Sequence, residues 1–201
     1  MAKLQLSKSA LSKEAANLKT YKRFLPSLDL KRQELMNQRA KAKRALAETK
    51  IEIDKLSRTM AEEIPMLSND KVDLANLVKV KTVDLGQENI MGAHLPLLQT
   101  VDVEVRHYSL LAKPHWVDAV AEKLKGLLTL QIRLQVEEKR LVLLNAAVKT
   151  ITQRVNLFDK VLIPKTQKNI KKIKIHLSDS ERASVINAKL AKGKRLREIE
   201  A

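Results

Sequence analysis

Few residues in this 201-residue chain stand at spacings that could do chemistry. The four histidines, His94, His107, His115 and His176, never fall at metal-ligand spacing with one another or with a carboxylate, and each reads as a turn or surface residue. Cysteine is absent, which removes disulfides and thiolate metal sites. Acid pairs occur at Glu62-Glu63 and Glu137-Glu138, but adjacent residues on a helix diverge, so one of each pair should face solvent. Gly193-Lys194 lacks both the preceding glycine and the following Ser/Thr of a phosphate loop. Catalytic residues, cofactor sites and metal sites are therefore not expected.

What remains is positive charge. The net charge is +16, and it is segregated. Residues 1–50 hold 13 Lys/Arg against 4 Asp/Glu, residues 160–201 hold 12 against 4, and the stretch between holds 14 against 15. Lys168, Lys171, Lys172 and Lys174 are the densest cluster. They could contact an acidic partner or nucleic acid, or they could be the solvated face of a helix whose apolar positions are Ile170, Ile173 and Leu177. Both chain ends contribute charge, which favours a contact surface. A nucleic-acid reading lacks a base-reading motif or a stacking platform, since the basic ends offer only Tyr21, Phe24 and Phe158 as aromatics.

The elements that would carry this charge are two heptad-patterned helices. Leu4, Leu11, Leu18 and Leu25 repeat at seven, Leu46, Ile53 and Met60 resume the position, and Tyr21, Leu28, Leu35, Ala42 and Leu56 fill its companion. Near the other end Val120, Leu127, Leu134, Leu141, Val148, Val155 and Leu162 form a second series, partnered by Leu130, Leu144, Ile151 and Phe158. So narrow a stripe over many turns predicts coiled coil. Two stripes around a different kind of sequence predict an antiparallel hairpin, a rod with both basic ends side by side.

Arg32, Arg39 and Glu137 occupy core positions of these heptads, where polar residues fix register. If residues whose numbers sum to about 180 face each other, Arg39 and Glu137 form a register-fixing ion pair. Pro26 should kink or restart the first helix, which runs from Ser7 or Ser9 to Glu63 and is closed by Pro65. Near Phe158, Leu162, Thr166 and Ile170 the spacing becomes four each time, a stutter that unwinds the supercoil, with Pro164 at the change. Ser178-Asp179-Ser180-Glu181 resembles a capping-box restart before a basic end that is helical or frayed.

The period differs from Leu77 to Tyr108. Val78, Val80, Val83 and Leu85, then Val101, Val103 and Val105, alternate with polar residues, and Gly86, Gly92 and Pro96 bound them. This predicts a β-hairpin with a long connection. Helix resumes after Pro114. The expected organisation is a mainly α protein: an N-terminal coiled-coil helix over 1–64, a middle segment over 65–114 with the β-hairpin and short helices, and a C-terminal coiled-coil helix over 115–201.

Thr152-Gln153-Arg154-Val155-Asn156, followed by Val161-Leu162-Ile163-Pro164, closely resembles the signature of the D subunits of rotary V/A-type ATPases. Ser7-Lys8-Ser9-Ala10-Leu11, Leu30-Lys31-Arg32-Gln33-Glu34-Leu35 and Glu88-Asn89-Ile90-Met91-Gly92 with Leu95-Pro96 are similar to that family in the same order. The chain departs from the family's pattern at Pro26 and at Gln33, where an acidic residue is common. The resemblance implies a non-catalytic central shaft whose terminal helices enter the hexamer of catalytic A and B subunits. It also implies that the middle segment, with the F subunit attached, rests on a funnel-shaped subunit coupling it to the membrane ring. Arg154, Lys168, Lys171 and Lys172 are then the candidate contacts with the hexamer. The implied location is cytoplasmic and peripheral to the membrane. The longest apolar stretch, around Leu141–Val148, is too short to span a bilayer, and no signal peptide or nucleic-acid partner is expected. The alternative is a basic coiled-coil nucleic-acid-binding or scaffold protein.

Overall fold

The computed structural model describes residues 5–68, 74, 77–108 and 113–200. Leu4, the first member of the heptad series, lies outside them. The chain is mainly helical. Helix α1 spans Lys8–Glu63, strands β1 (Val78–Ile90) and β2 (Ala93–Val105) form an antiparallel hairpin, α2 spans Trp116–Asn156 and α3 spans Ile163–Glu200. A single 3-10 turn, Pro65–Ser68, follows α1, and a π turn, Leu157–Leu162, joins α2 to α3. The chain divides into two compact units, one of residues 1–30 with 151–201 and one of residues 31–150.

Helix α1 opens where Ser7 offers its hydroxyl oxygen to the Ala10 N–H at 3.2 Å, satisfying a donor the first turn leaves free. Its last bond runs from Ile64 N–H to the Met60 carbonyl, just before Pro65. Pro26 neither breaks nor restarts the helix, which is continuous through it. The imino nitrogen costs one intrahelical bond there, and the cost is local.

In the 31–150 unit, α1 and α2 are antiparallel. Lys50 meets Glu138 at 3.5 Å, Thr49 meets Glu137 at 2.9 Å, and Glu63 is bound by Lys123. Leu35, Ala42 and Thr49 of the companion heptad position are buried on α1, as are Val120, Leu144 and Val148 on α2. Met60, Ile64 and Val120 close one end of this seam, with Trp116 and Leu124 packed against them.

The hairpin departs from expectation at its connection, which is two residues long. Ile90 pairs with Ala93, and Met91 and Gly92 both take positive φ, +53° and +89°. Positive φ at both central residues is the type I′ geometry, whose twist matches that of the strands. Asn89 Oδ1 accepts from the Gly92 N–H at 2.9 Å and stiffens the turn. Gly86 and Pro96, expected to bound the strands, lie inside them. Register shifts fall between Val80 and Thr82 and between Asp84 and Leu85, and Gln99 folds over Gly86, where a Cβ would come within 2.7 Å of its amide nitrogen. Pro96 is tolerated because each strand of a two-stranded sheet has an open edge.

The 1–30 with 151–201 unit has a second seam, formed by Ile151, Val155, Thr166 and Ile173, all buried. Tyr21 meets Phe158 edge to face at 5.5 Å, and Asn169 reaches Glu14 at 3.4 Å. Helix α3 runs through Ser178–Glu181 without restarting, since no glycine or proline there stops it, and Glu181 meets Lys8 at 3.7 Å in an exposed ion pair.

Candidate functional site

The basic face of α3 is set by helical phase. At 100° per residue, Lys168, Lys171 and Lys172 share one face, opposite the buried Thr166 and Ile173. All three lysines are exposed, and Ile175, 52% exposed, extends the same ridge. Arg154, also exposed, lies in the last turn of α2, on the other side of the π turn. The structure therefore gathers the three lysines into one ridge, with Arg154 separate from it.

Thr152, Gln153, Arg154, Val155 and Asn156 close α2, and Pro164 is the second residue of α3. Val155 is buried, Thr152 and Pro164 are half-buried, and Gln153, Arg154 and Asn156 face solvent. The π turn between them takes up the stutter. Eight residues separate Phe158 from Thr166, whereas two α turns hold about 7.2. One wide turn absorbs the surplus. Its bond from Ile163 N–H to the Phe158 carbonyl is the i to i−5 pattern, and Pro164 could not have donated the next α bond. Thr166 places its hydroxyl on the Leu162 carbonyl at 2.6 Å, so its burial leaves no hydroxyl unsatisfied.

A second polar site lies in the 31–150 seam. Glu137 accepts from the buried Thr49 hydroxyl on one oxygen and from Arg133 Nε at 3.0 Å on the other. Arg39 is not its partner. With residue 49 facing 137, position 39 falls near residue 147, and ten residues separate it from Thr49, roughly 15 Å along α1. The expected register was too short because the middle segment and its approaches, not the chain midpoint, set which residues face each other. Arg32 and Arg39 are both half-buried on α1. Thr49 was missed although it stands at the heptad position between Ala42 and Leu56; its hydroxyl disguised it.

The hairpin is held on this seam by two further contacts. Arg140 of α2 donates to Glu88 of β1 at 2.6 Å, and Leu95, with no exposed surface, lines a groove with Gln135, Val142 and Leu143. At the exit of β2, Tyr108 donates its hydroxyl to Asp118 in the first turn of α2, and Lys113 sits over the ring at 5.4 Å. The hydrogen bond to Asp118 raises the tyrosine pKa above its ordinary value, aided by desolvation and the carboxylate's charge. Asp118 is itself favoured by the helix N-terminus. Among the described residues no helix is long and apolar enough to cross a membrane.

A long N-terminal helix, a two-stranded antiparallel hairpin in the middle of the chain and long C-terminal helices define a mainly α-helical hairpin protein. The profile of the family described as the D subunit of ATP synthase matches residues 10–193. A V-type ATP synthase D subunit of Borreliella burgdorferi is 36% identical over 192 residues, covering 96% of this chain and 95% of that one. Proteins of the same name from Chlamydia trachomatis serovar L2 and Chlamydia pneumoniae are 33% and 32% identical, covering 96% and 95% of this chain and 96% and 92% of their own. This chain belongs to the ATP synthase D-subunit family.

Proposed function

We propose that this chain is the central rotor subunit of a V-type rotary ATPase, without chemistry of its own, passing torque between the catalytic A and B subunits and the membrane ring. In this reading the unit holding both termini turns inside the hexamer, while the unit bearing the hairpin engages the F subunit and the funnel-shaped subunit. The complex then holds the chain at the cytoplasmic face of the membrane. Family membership over nearly the whole chain carries the proposal.

The ridge of Lys168, Lys171 and Lys172 supports it. Contacts that are made and broken at every step must be individually weak, which solvated lysines supply better than buried aromatics. A surface that differs at each catalytic interface biases those sites by differential contact. Arg154 is assigned to the same contact set.

The test is co-elution with a reconstituted hexamer of A and B subunits across a salt series. The unmodified chain should bind, and Lys168→Glu/Lys171→Glu/Lys172→Glu should weaken binding at least tenfold at low salt. Failure of the unmodified chain to co-elute, together with steeply salt-dependent binding to duplex DNA, would refute the rotor reading in favour of a nucleic-acid-binding one.

A further inference from the structure

We propose that Thr49 and Glu137 form a register key, a polar pair that stops α1 from sliding by a heptad along α2. The companion column of α1 reads Leu28, Leu35, Ala42, Thr49, Leu56, and that of α2 reads Leu130, Glu137, Leu144, Ile151. Within these places Thr49 and Glu137 are the polar residues, and they meet at 2.9 Å; one heptad further on the same columns end in Glu63 and Lys123, which pair with each other. Thr49 is only 1% exposed and the Glu137 side chain only 15%. Both carboxylate oxygens are occupied, the second by Arg133 from the preceding turn of the same helix.

The apolar residues cannot set this register alone. With 49 facing 137, Ala42 falls opposite Leu144 and Leu56 opposite Leu130. A seven-residue slip still gives aliphatic partners to the core of the seam, Leu35 opposite Leu144 one way and Ala42 opposite Ile151 the other. The places of Thr49 and Glu137 are decisive. Glu137 would face Ala42 or Leu56, and Thr49 would face Leu144 or Leu130, so a carboxylate would lose its cross-helix partner while staying in the seam. Leaving one carboxylate oxygen in the seam without its cross-helix donor costs more than the bond gains, even with Arg133 still on the other oxygen, which makes the pair a device against the slipped states rather than a source of stability. Lys50 with Glu138, and Glu63 with Lys123, are too exposed to do this, the Glu63 side chain being 59% exposed, since solvated ion pairs contribute little.

The pairing is a property of the helix pair and does not depend on the rotor reading. Within that reading it has a use, because twisting two wound helices drives one to slide along the other.

The chain has no cysteine of its own, so the register can be read by site-specific cross-linking. Lys50→Cys with Glu138→Cys reports the native register. Lys43→Cys or Ser57→Cys with Glu138→Cys reports a slip of one heptad either way, and all four positions are exposed. A short bis-maleimide should link only the native pair in the otherwise unmodified chain. Adding Thr49→Val/Glu137→Leu should raise linking of a slipped pair at least tenfold while helicity by circular dichroism is unchanged. A folded double variant whose slipped pairs stay unlinked would overturn the proposal.

Unfolding equilibria give a second readout. Thr49→Val alone should lower the folding equilibrium constant roughly tenfold, and Glu137→Leu added to it should recover the loss. Additive losses, or a double variant that fails to fold, would equally overturn the key, because removing both partners should leave the seam at least as stable.

Discussion

Leu95→Ala should free the β-hairpin from α2 while leaving the helix pair beneath it intact. An isolated two-stranded hairpin is marginal in water, so the order of β1 and β2 is borrowed from what they pack on. Leu95 has no exposed surface, and it shares its groove with Val142 and Leu143, which are themselves substantially exposed. Truncating a buried leucine to alanine removes about 2–5 kcal/mol. The groove is open on one side and can partly collapse, so the lower part of that range applies, about 2–3 kcal/mol. At about 1.4 kcal/mol per tenfold, the hairpin's opening equilibrium rises roughly 30- to 150-fold. Amide hydrogen exchange resolved by residue is the assay. The amides of Val78–Val83 and Val101–Val105 should lose protection by that factor, whereas those of α2 between Leu134 and Val148 should change less than threefold. Equal acceleration in strands and helix would refute the reasoning, since hairpin and helix pair would then open as one cooperative unit. No acceleration anywhere would show that Glu88, Arg140 and the Tyr108 contact hold the hairpin without Leu95.

Met91 holds a left-handed backbone at the turn without being glycine. Met91→Gly should therefore stabilise the hairpin by about 1 kcal/mol, and Met91→Val should destabilise it by about 1–2 kcal/mol, both read from the same exchange data. Tyr108 has a pKa raised above 10.0, so the stability it contributes is complete below the pKa of an unfolded tyrosine and lost as pH rises through the higher folded value. In a Tyr21→Phe background, absorbance at 295 nm should titrate above pH 10, and Asp118→Asn should lower the midpoint. An unchanged midpoint would remove Asp118 as the cause.

The sequence exposed the elements whose signals are periodic and local. Leu35, Ala42, Leu144, Ile151 and Val155 were marked by their heptads and are buried. Val78 and Val80 on β1 and Val103 and Val105 on β2 alternate as expected, and Val78 and Val80 pair with Val105 and Val103. Signals that depend on what faces what were not legible. Gly86 and Pro96 look like strand ends, but an irregular ladder with open edges accommodates both, so the turn moved to Met91-Gly92. The Arg39–Glu137 pairing failed because a heptad gives the face of a residue but not its partner across the seam. Thr49 could have been found by asking which position continues the series Leu35, Ala42, Leu56. The Ser178–Glu181 motif has the letters of a cap, but capping requires the preceding chain to leave the helix, and nothing there makes it do so.

The π turn joins several of these threads. A wide turn is poorer in hydrogen-bond geometry than the α-helix around it, so a local demand must hold it in place. Two demands coincide at Leu157–Leu162. The seam must carry Val155, Thr166 and Ile173 on one face across a surplus residue, and Pro164 withholds the N–H that would close an ordinary turn. Either demand alone could be met more simply, by a slight unwinding of the supercoil or by a kink. Meeting both with one turn keeps the core in phase and leaves Leu157 and Val161 facing solvent at 47% and 50% exposure, just before the ridge of Lys168, Lys171 and Lys172.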